Sequence, residues 1–246
     1  MRLFASELLK IRTAPRTVIG LLLAELAVVA VGTASTIDSA TSSGAPPGFE
    51  SPAERNLERD LIGAVSSSLL FALILGVLVI TWEYRHGTIT QTFLVTPVRE
   101  RVVGIKMLAA AVVGAALVVP ALILMLVIAE IWVGDKVQFG GHELALMGRV
   151  FLGAAIVGAL GLEIGAGIGR QLGAILLAFA WAAFVEPALS IWGSIQPYLP
   201  LHALFQGVLG NGDASLSLGR GLLTIAVYLA ALGTTAVVLT RRRDIT

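Results

Sequence analysis

Cysteine is absent from the 246 residues. Disulfides, thiolate zinc sites and cysteine nucleophiles are therefore excluded. Charge is scarce: 13% of residues are Asp, Glu, Lys or Arg, against about 25% in an ordinary soluble domain. Only three histidines occur, His86, His142 and His202. None falls inside a long apolar run, so a hydrolase that works at depth in a membrane has no imidazole to use. No GxxxxGK[ST] phosphate loop, HExxH zinc motif or GxSxG nucleophile elbow is present. ATP held by a nucleotide loop, zinc-peptidase chemistry and α/β-hydrolase chemistry are thus excluded. The sequence reads as a non-enzyme with no metal site and no cofactor of its own, and nothing in it points to nucleic acid.

What the chain has is apolar length, 57% of its residues. A spanning helix needs roughly 20 mainly apolar residues, and six stretches qualify: 17–34, 61–82, 107–133, 150–169, 172–191 and 221–240. The expected fold is a single all-α integral membrane domain. The first stretch has the basic flank and trailing small residues of a signal peptide, but it is long for an h-region and carries Glu25, so it reads as a span that is kept. Six spans put both ends of the chain on one side. Placing them in the cytoplasm puts Arg2, Lys10, Arg12, Arg16, Arg85, Arg99, Arg101, Lys106, Arg170, Arg241, Arg242 and Arg243 inside. Arg55, Arg59, Lys136, Arg149 and Arg220 are left outside. That twelve-to-five bias favours cytoplasmic ends in a cell membrane.

The segments between spans differ in character. In residues 1–16, Phe4, Leu8 and Ile11 recur at helical spacing while Arg2, Glu7 and Lys10 point elsewhere. This is the pattern of an amphipathic interfacial helix, or equally of a simple positive flank. Residues 37–60 read as an outer loop, flexible in its Ser/Thr/Gly/Pro-rich first half and forming a short exposed helix in its charged second half. In the segment Glu83–Lys106, Gly87 permits a sharp turn, and Thr88 with Gln91 has capping-box spacing. Thr96–Pro97 is a second helix start. Two short helices are expected, one over 89–95 with Phe93 and Leu94 as apolar content, one from Pro97 running toward the third span. An ordered basic helical loop suits a docking surface for another protein; the alternative is a plain connection. Between the fifth and sixth spans, residues 201–209 are apolar but too short to cross, as in a re-entrant or interfacial piece. Trp192 and Tyr198 beside it suit an aromatic belt.

Acidic groups inside a membrane are costly and are functional candidates by default. Glu25 lies near the middle of the first span, Glu163 in the inner half of the fourth and Glu186 in the outer half of the fifth. They either line a translocation pathway, binding cations or protons, or pack between helices as satisfied groups. Glu130 lies near the outer end of the third span. Pro120 and Pro187 are expected to kink their helices. Gly161, Gly165 and Gly169 repeat at GxxxG spacing, a ridge for close packing within the bundle or between subunits.

The run Glu83-Tyr84-Arg85-His86-Gly87-Thr88, the following Thr96-Pro97-Val98-Arg99, and the opening Glu7-Leu8-Leu9-Lys10-Ile11-Arg12-Thr13 resemble the ABC-2 type permease family, the membrane subunits of ABC exporters. The order of parts is similar over nearly the whole chain. The resemblance implies that Glu83, Arg85, Gly87, Thr88, Phe93, Pro97 and Arg99 form a coupling region that docks on a separate ATPase. The N-terminal helix would touch the same partner, and 201–209 would be a re-entrant helix. It further implies two permease and two ATPase subunits, the second permease being identical or related, with ATP and magnesium held by the ATPase. The small outer region departs from members with a large extracellular domain. Two other readings remain open from the residues alone: an ion-coupled carrier using the deep glutamates, and a membrane anchor that does not transport.

Overall fold

The computed structural model describes residues 2–12, 15–42, 57–89, 98–134, 137, 139–210 and 216–242. Among these the chain is helical and has no strand. The helices are α1 (Arg2–Arg12), α2 (Pro15–Ser42), α3 (Leu57–Val65), α4 (Ser68–Arg85), α5 (Arg99–Trp132), α6 (Gly141–Ile168), α7 (Gln171–Ala180), α8 (Glu186–Ser190), α9 (Pro200–His202) and α10 (Leu218–Arg242). Wider π-helical turns join α7 to α8 (Trp181–Val185) and extend α9 (Ala203–Val208). Six helical stretches are long and apolar enough to cross a membrane: α2, α3–α4, α5, α6, α7–α8 and α10.

Burial ranks these six. In the most apolar 18 residues of each, more than half of α3–α4 and of α6 is buried, about a third of α5, and little of α2, α7–α8 or α10. The centre is therefore a packed trio, α4, α5 and α6, ringed by three helices whose outer faces are apolar and open. Leu23, Val31, Leu176, Phe184, Leu223 and Val227 are all exposed. Such an exterior is at home in hydrocarbon and would associate in water.

Glycine makes the trio possible. A Cβ on Gly76 of α4 would overlap the Gly158 carbonyl oxygen of α6, and one on Gly158 would stand 2.6 Å from the Ala110 oxygen of α5. A Cβ on Gly161 would overlap the Leu73 oxygen. Gly165 packs against Ile80 and Val77 in the same seam. Of the expected ridge, Gly161 and Gly165 thus work inside the bundle. Gly169 instead ends α6: at φ 71° it takes the left-handed conformation, its N–H donating to the Gly165 oxygen.

Several boundaries differ from the sequence expectation. Helix α2 continues to Ser42 rather than giving way to a loop. Ser35 and Thr36 hydroxyls donate to the Gly32 oxygen, Ser39 to Ser35 and Thr41 to Ile37, so the polar residues are satisfied within the helix. Ile37 and Ala40 are buried as well. The helix expected in the charged part of 50–60 begins at Leu57, but Leu57 is buried and the helix leads straight into the second span. That span is broken by a turn at Ser66–Ser67. The third starts at Arg99, and α5 runs through Pro120 without interruption. The fourth begins at Gly141, where the Gly140 N–H donates to the Glu143 carboxylate. In the fifth, the π turn immediately precedes Glu186–Pro187 and absorbs the missing donor of the proline. The apolar piece after it is helical over 200–208 and packs its Ala203, Leu204 and Val208 against the bundle. Gly207 and Gly221 let it touch α10 backbone to backbone.

Candidate functional site

The most unusual polar feature lies where α4 ends and α5 begins. Lys106, two turns into α5, is wholly buried, and its Nζ donates to Glu7 Oε2 at 2.5 Å and to Glu83 Oε1 at 2.6 Å. Lys10 Nζ closes the ring at 2.8 Å from Glu7 Oε1 and 2.9 Å from Glu83 Oε1. Glu7 and Lys10 stand three apart on α1, the spacing that puts two side chains on one helix face. Glu83 lies in the last turn of α4. Two carboxylates and two ammonium groups thus neutralise one another and tie three helices at the base of the segment 86–98.

An isolated ammonium at the depth of Lys106 would be intolerable, and good geometry with several partners is what allows its burial. This corrects the reading of α1. Its Glu7 side turns inward rather than toward solvent, only 2% exposed, while the apolar Leu9 is open. The driving force is the carboxylate that Lys106 demands. Lys10 remains 42% exposed. Burial lowers its pKa, but the hydrogen bonds and charges of Glu7 and Glu83 outweigh that, so it lies above the ordinary lysine value. A raised lysine contributes fully below its unfolded pKa and loses its contribution as pH rises through the folded one. We therefore expect a spin label at the exposed Leu9 to stay immobile across the neutral range and to gain mobility only above about pH 10.5. The Lys10→Met variant should show no such transition.

The remaining coupling candidates fall around this ring. Arg85 ends α4, exposed and on the side away from Glu83. Gly87 has φ 68°, and its N–H turns back to the Tyr84 oxygen. Thr88 is exposed, and Ile89 is buried against Ile80, Val102 and Ala236, pinning the start of the loop to the bundle. Arg99 is the first residue of α5. Phe93, Pro97 and the Thr88–Gln91 capping pair's second member lie outside the described residues.

The three deep glutamates do not converge. Glu25 of α2 faces α4, where Ser68 is its polar neighbour. Neither reaches good hydrogen-bond geometry, and both carboxylate oxygens are without a partner among the described residues. Glu163 of α6 is likewise unpartnered and lies against Gly233 of α10, where a Cβ would come within 2.9 Å of its Oε1. Glu186 is fully engaged. Its Oε2 accepts from Trp181 Nε1 at 2.9 Å, and its Oε1 from the His202 N–H at 2.8 Å. A π turn advances fewer degrees per residue than an α turn, which is why residues five apart meet here. Glu186 therefore caps the 200–208 helix from the α7–α8 stretch. Glu130 lines a shallow cavity of about 370 Å³ at the far end of α5.

Lys106 was present in the sequence only as one more positive charge, and Glu7 as part of an outward face. The available signal was an ion-pairing Glu-x-x-Lys on the first helix, together with a lysine two turns inside an apolar one.

Fold and polar core define the class: among the described residues, an all-helical protein with six helical stretches able to cross a membrane and a buried charge ring at one end. In comparison with known proteins, no family model matches the chain and no curated protein matches its sequence.

Proposed function

We propose that this chain is the permease subunit of an ATP-driven exporter of the ABC-2 kind, set in the cell membrane with both ends in the cytoplasm. The observation that carries the reading is the buried ring of Glu7, Lys10, Glu83 and Lys106. A loop that only joined two spans would need no such anchor. Here α1, the end of α4 and the start of α5 are fastened into one body carrying the exposed Thr88 and leading through Lys106 into the central trio. A push on 86–98 is thereby delivered to α4 and α5 together. Glu83 acts from within as the fastening, while Gly87, Thr88, Phe93, Pro97 and Arg99 belong to the surface that meets an ATPase. Two such permeases, identical or related, would work with two ATPase subunits holding ATP and magnesium.

A second reading has its own support. Glu25 and Glu163 are buried carboxyls with no hydrogen-bond partner among the described residues, and an ionisable group at such depth is a candidate for ion or proton coupling. Tagging the chain, extracting it gently from its host and identifying stoichiometric companions by mass spectrometry separates the two. The exporter reading expects a Walker-motif ATPase. Recovery of the chain alone under several detergents, with transport that follows an ion gradient, would establish the carrier.

A further inference from the structure

On the flank of α4 opposite the charge ring, a cavity of about 510 Å³ opens between the end of α4 and the α6–α7 turn. Glu83 and Arg85 are two positions apart, about 200° around a helix. As the first turns into the bundle, the second turns toward α7. Arg85 and Arg170 both line the cavity, with Gln171 and the Tyr84 ring beside them. Both arginines are exposed, and neither is ion-paired among the described residues. No carboxylate is among the described lining residues. The opposite wall is Leu172 and Ile175, and it continues without a step into the open apolar face of α7, where Leu176 and Leu177 are more than half exposed.

We propose that this cavity binds the phosphodiester headgroup of an anionic phospholipid, with an acyl chain lying along α7. Two guanidinium groups supply the planar donors that phosphate oxygens take in pairs. The glutamine is placed for a glycerol or ester oxygen. The apolar wall answers the part of the ligand that a free anion lacks: inorganic phosphate would satisfy the arginines and leave Leu172 and Ile175 facing water. The inference does not depend on an ATPase partner and stands or falls separately from it.

The test uses the full chain, purified and exchanged into bilayer discs of phosphatidylcholine with a minor share of phosphatidylglycerol, followed by native mass spectrometry of retained lipid. Two arginines at a membrane surface should give phosphatidylglycerol an advantage of roughly tenfold over phosphatidylcholine. R85Q/R170Q should abolish that advantage, R85K/R170K should keep part of it, and R220Q, at the other end of the bundle, should leave it intact. Should the double glutamine variant fail to fold, R170Q alone, at an exposed helix cap, gives the same reading with a smaller drop. Millimolar inorganic phosphate should not remove the advantage. Equal retention of the two lipids by the unmodified chain, or an unchanged advantage in R85Q/R170Q or R170Q, would overturn the proposal. So would displacement of the lipid by phosphate, which would identify a free-anion site instead.

Discussion

Replacing Gly76 by alanine should cost about 3 kcal/mol or more and leave little chain in the monodisperse folded fraction. The added methyl would overlap the Gly158 carbonyl oxygen, and that neighbour is backbone, which no rotamer change can clear. Gly161→Ala should fail in the same way against the Leu73 oxygen. Gly148→Ala, in the same helix as Gly161 but with open space around it, should be neutral or stabilising by up to about 1 kcal/mol through helix propensity. Fluorescence-detected size exclusion and thermal midpoints in one detergent give the comparison. Equal tolerance of all three alanines would mean that α4 and α6 do not pack as closely as described. The consequence reaches function, because the helix that carries Glu83 is held in place by this seam.

Lys106→Met should be the second severe change, destabilising by about 3 kcal/mol, at the lower edge of the range for breaking a buried pair. It leaves Glu7 and Glu83 sharing only Lys10, one negative charge in excess inside the protein. The double variant Glu7→Gln with Lys106→Met restores neutrality, since Glu83 keeps Lys10, and should recover most of the loss. Recovery identifies charge balance rather than the shape of the lysine as what the site needs. If the single variant is as stable as the parent, the ring is not buried as described. Coupling should behave differently from stability: the double variant no longer fastens α1 to α5, so it should fold yet transmit poorly.

The six span-capable helices were legible because crossing a bilayer imposes a length and a composition that few soluble helices share, and Thr17–Ala34 or Gly221–Thr240 satisfy both. Their ends were less so. Ser35 to Thr41 look like a loop by composition, yet each hydroxyl that bonds back to a carbonyl satisfies itself within a helix. Glycine spacing announced a close contact without its partner, and Gly169 shared the spacing while serving as a helix stop. Glu186 was left open between a pathway group and a satisfied packing group, and its hydrogen bond from Trp181 depends on a π turn, a geometry that no residue pattern announces. The charge ring was the least legible of all. Its members are 99 residues apart for Lys106 and Glu7 and 73 for Lys10 and Glu83, and only the folded bundle juxtaposes them.

The proposed function requires the segment 86–98 to be a contact surface for an ATPase. A photo-crosslinking amino acid placed at the exposed Thr88, and in a separate variant at the exposed Trp192 near the other end of the bundle, tests this in the native membrane without knowledge of the substrate. Irradiation should join the chain to a Walker-motif ATPase from Thr88 and not from Trp192. An adduct of that kind from Trp192, or none from Thr88 while the chain is folded and inserted, would contradict it.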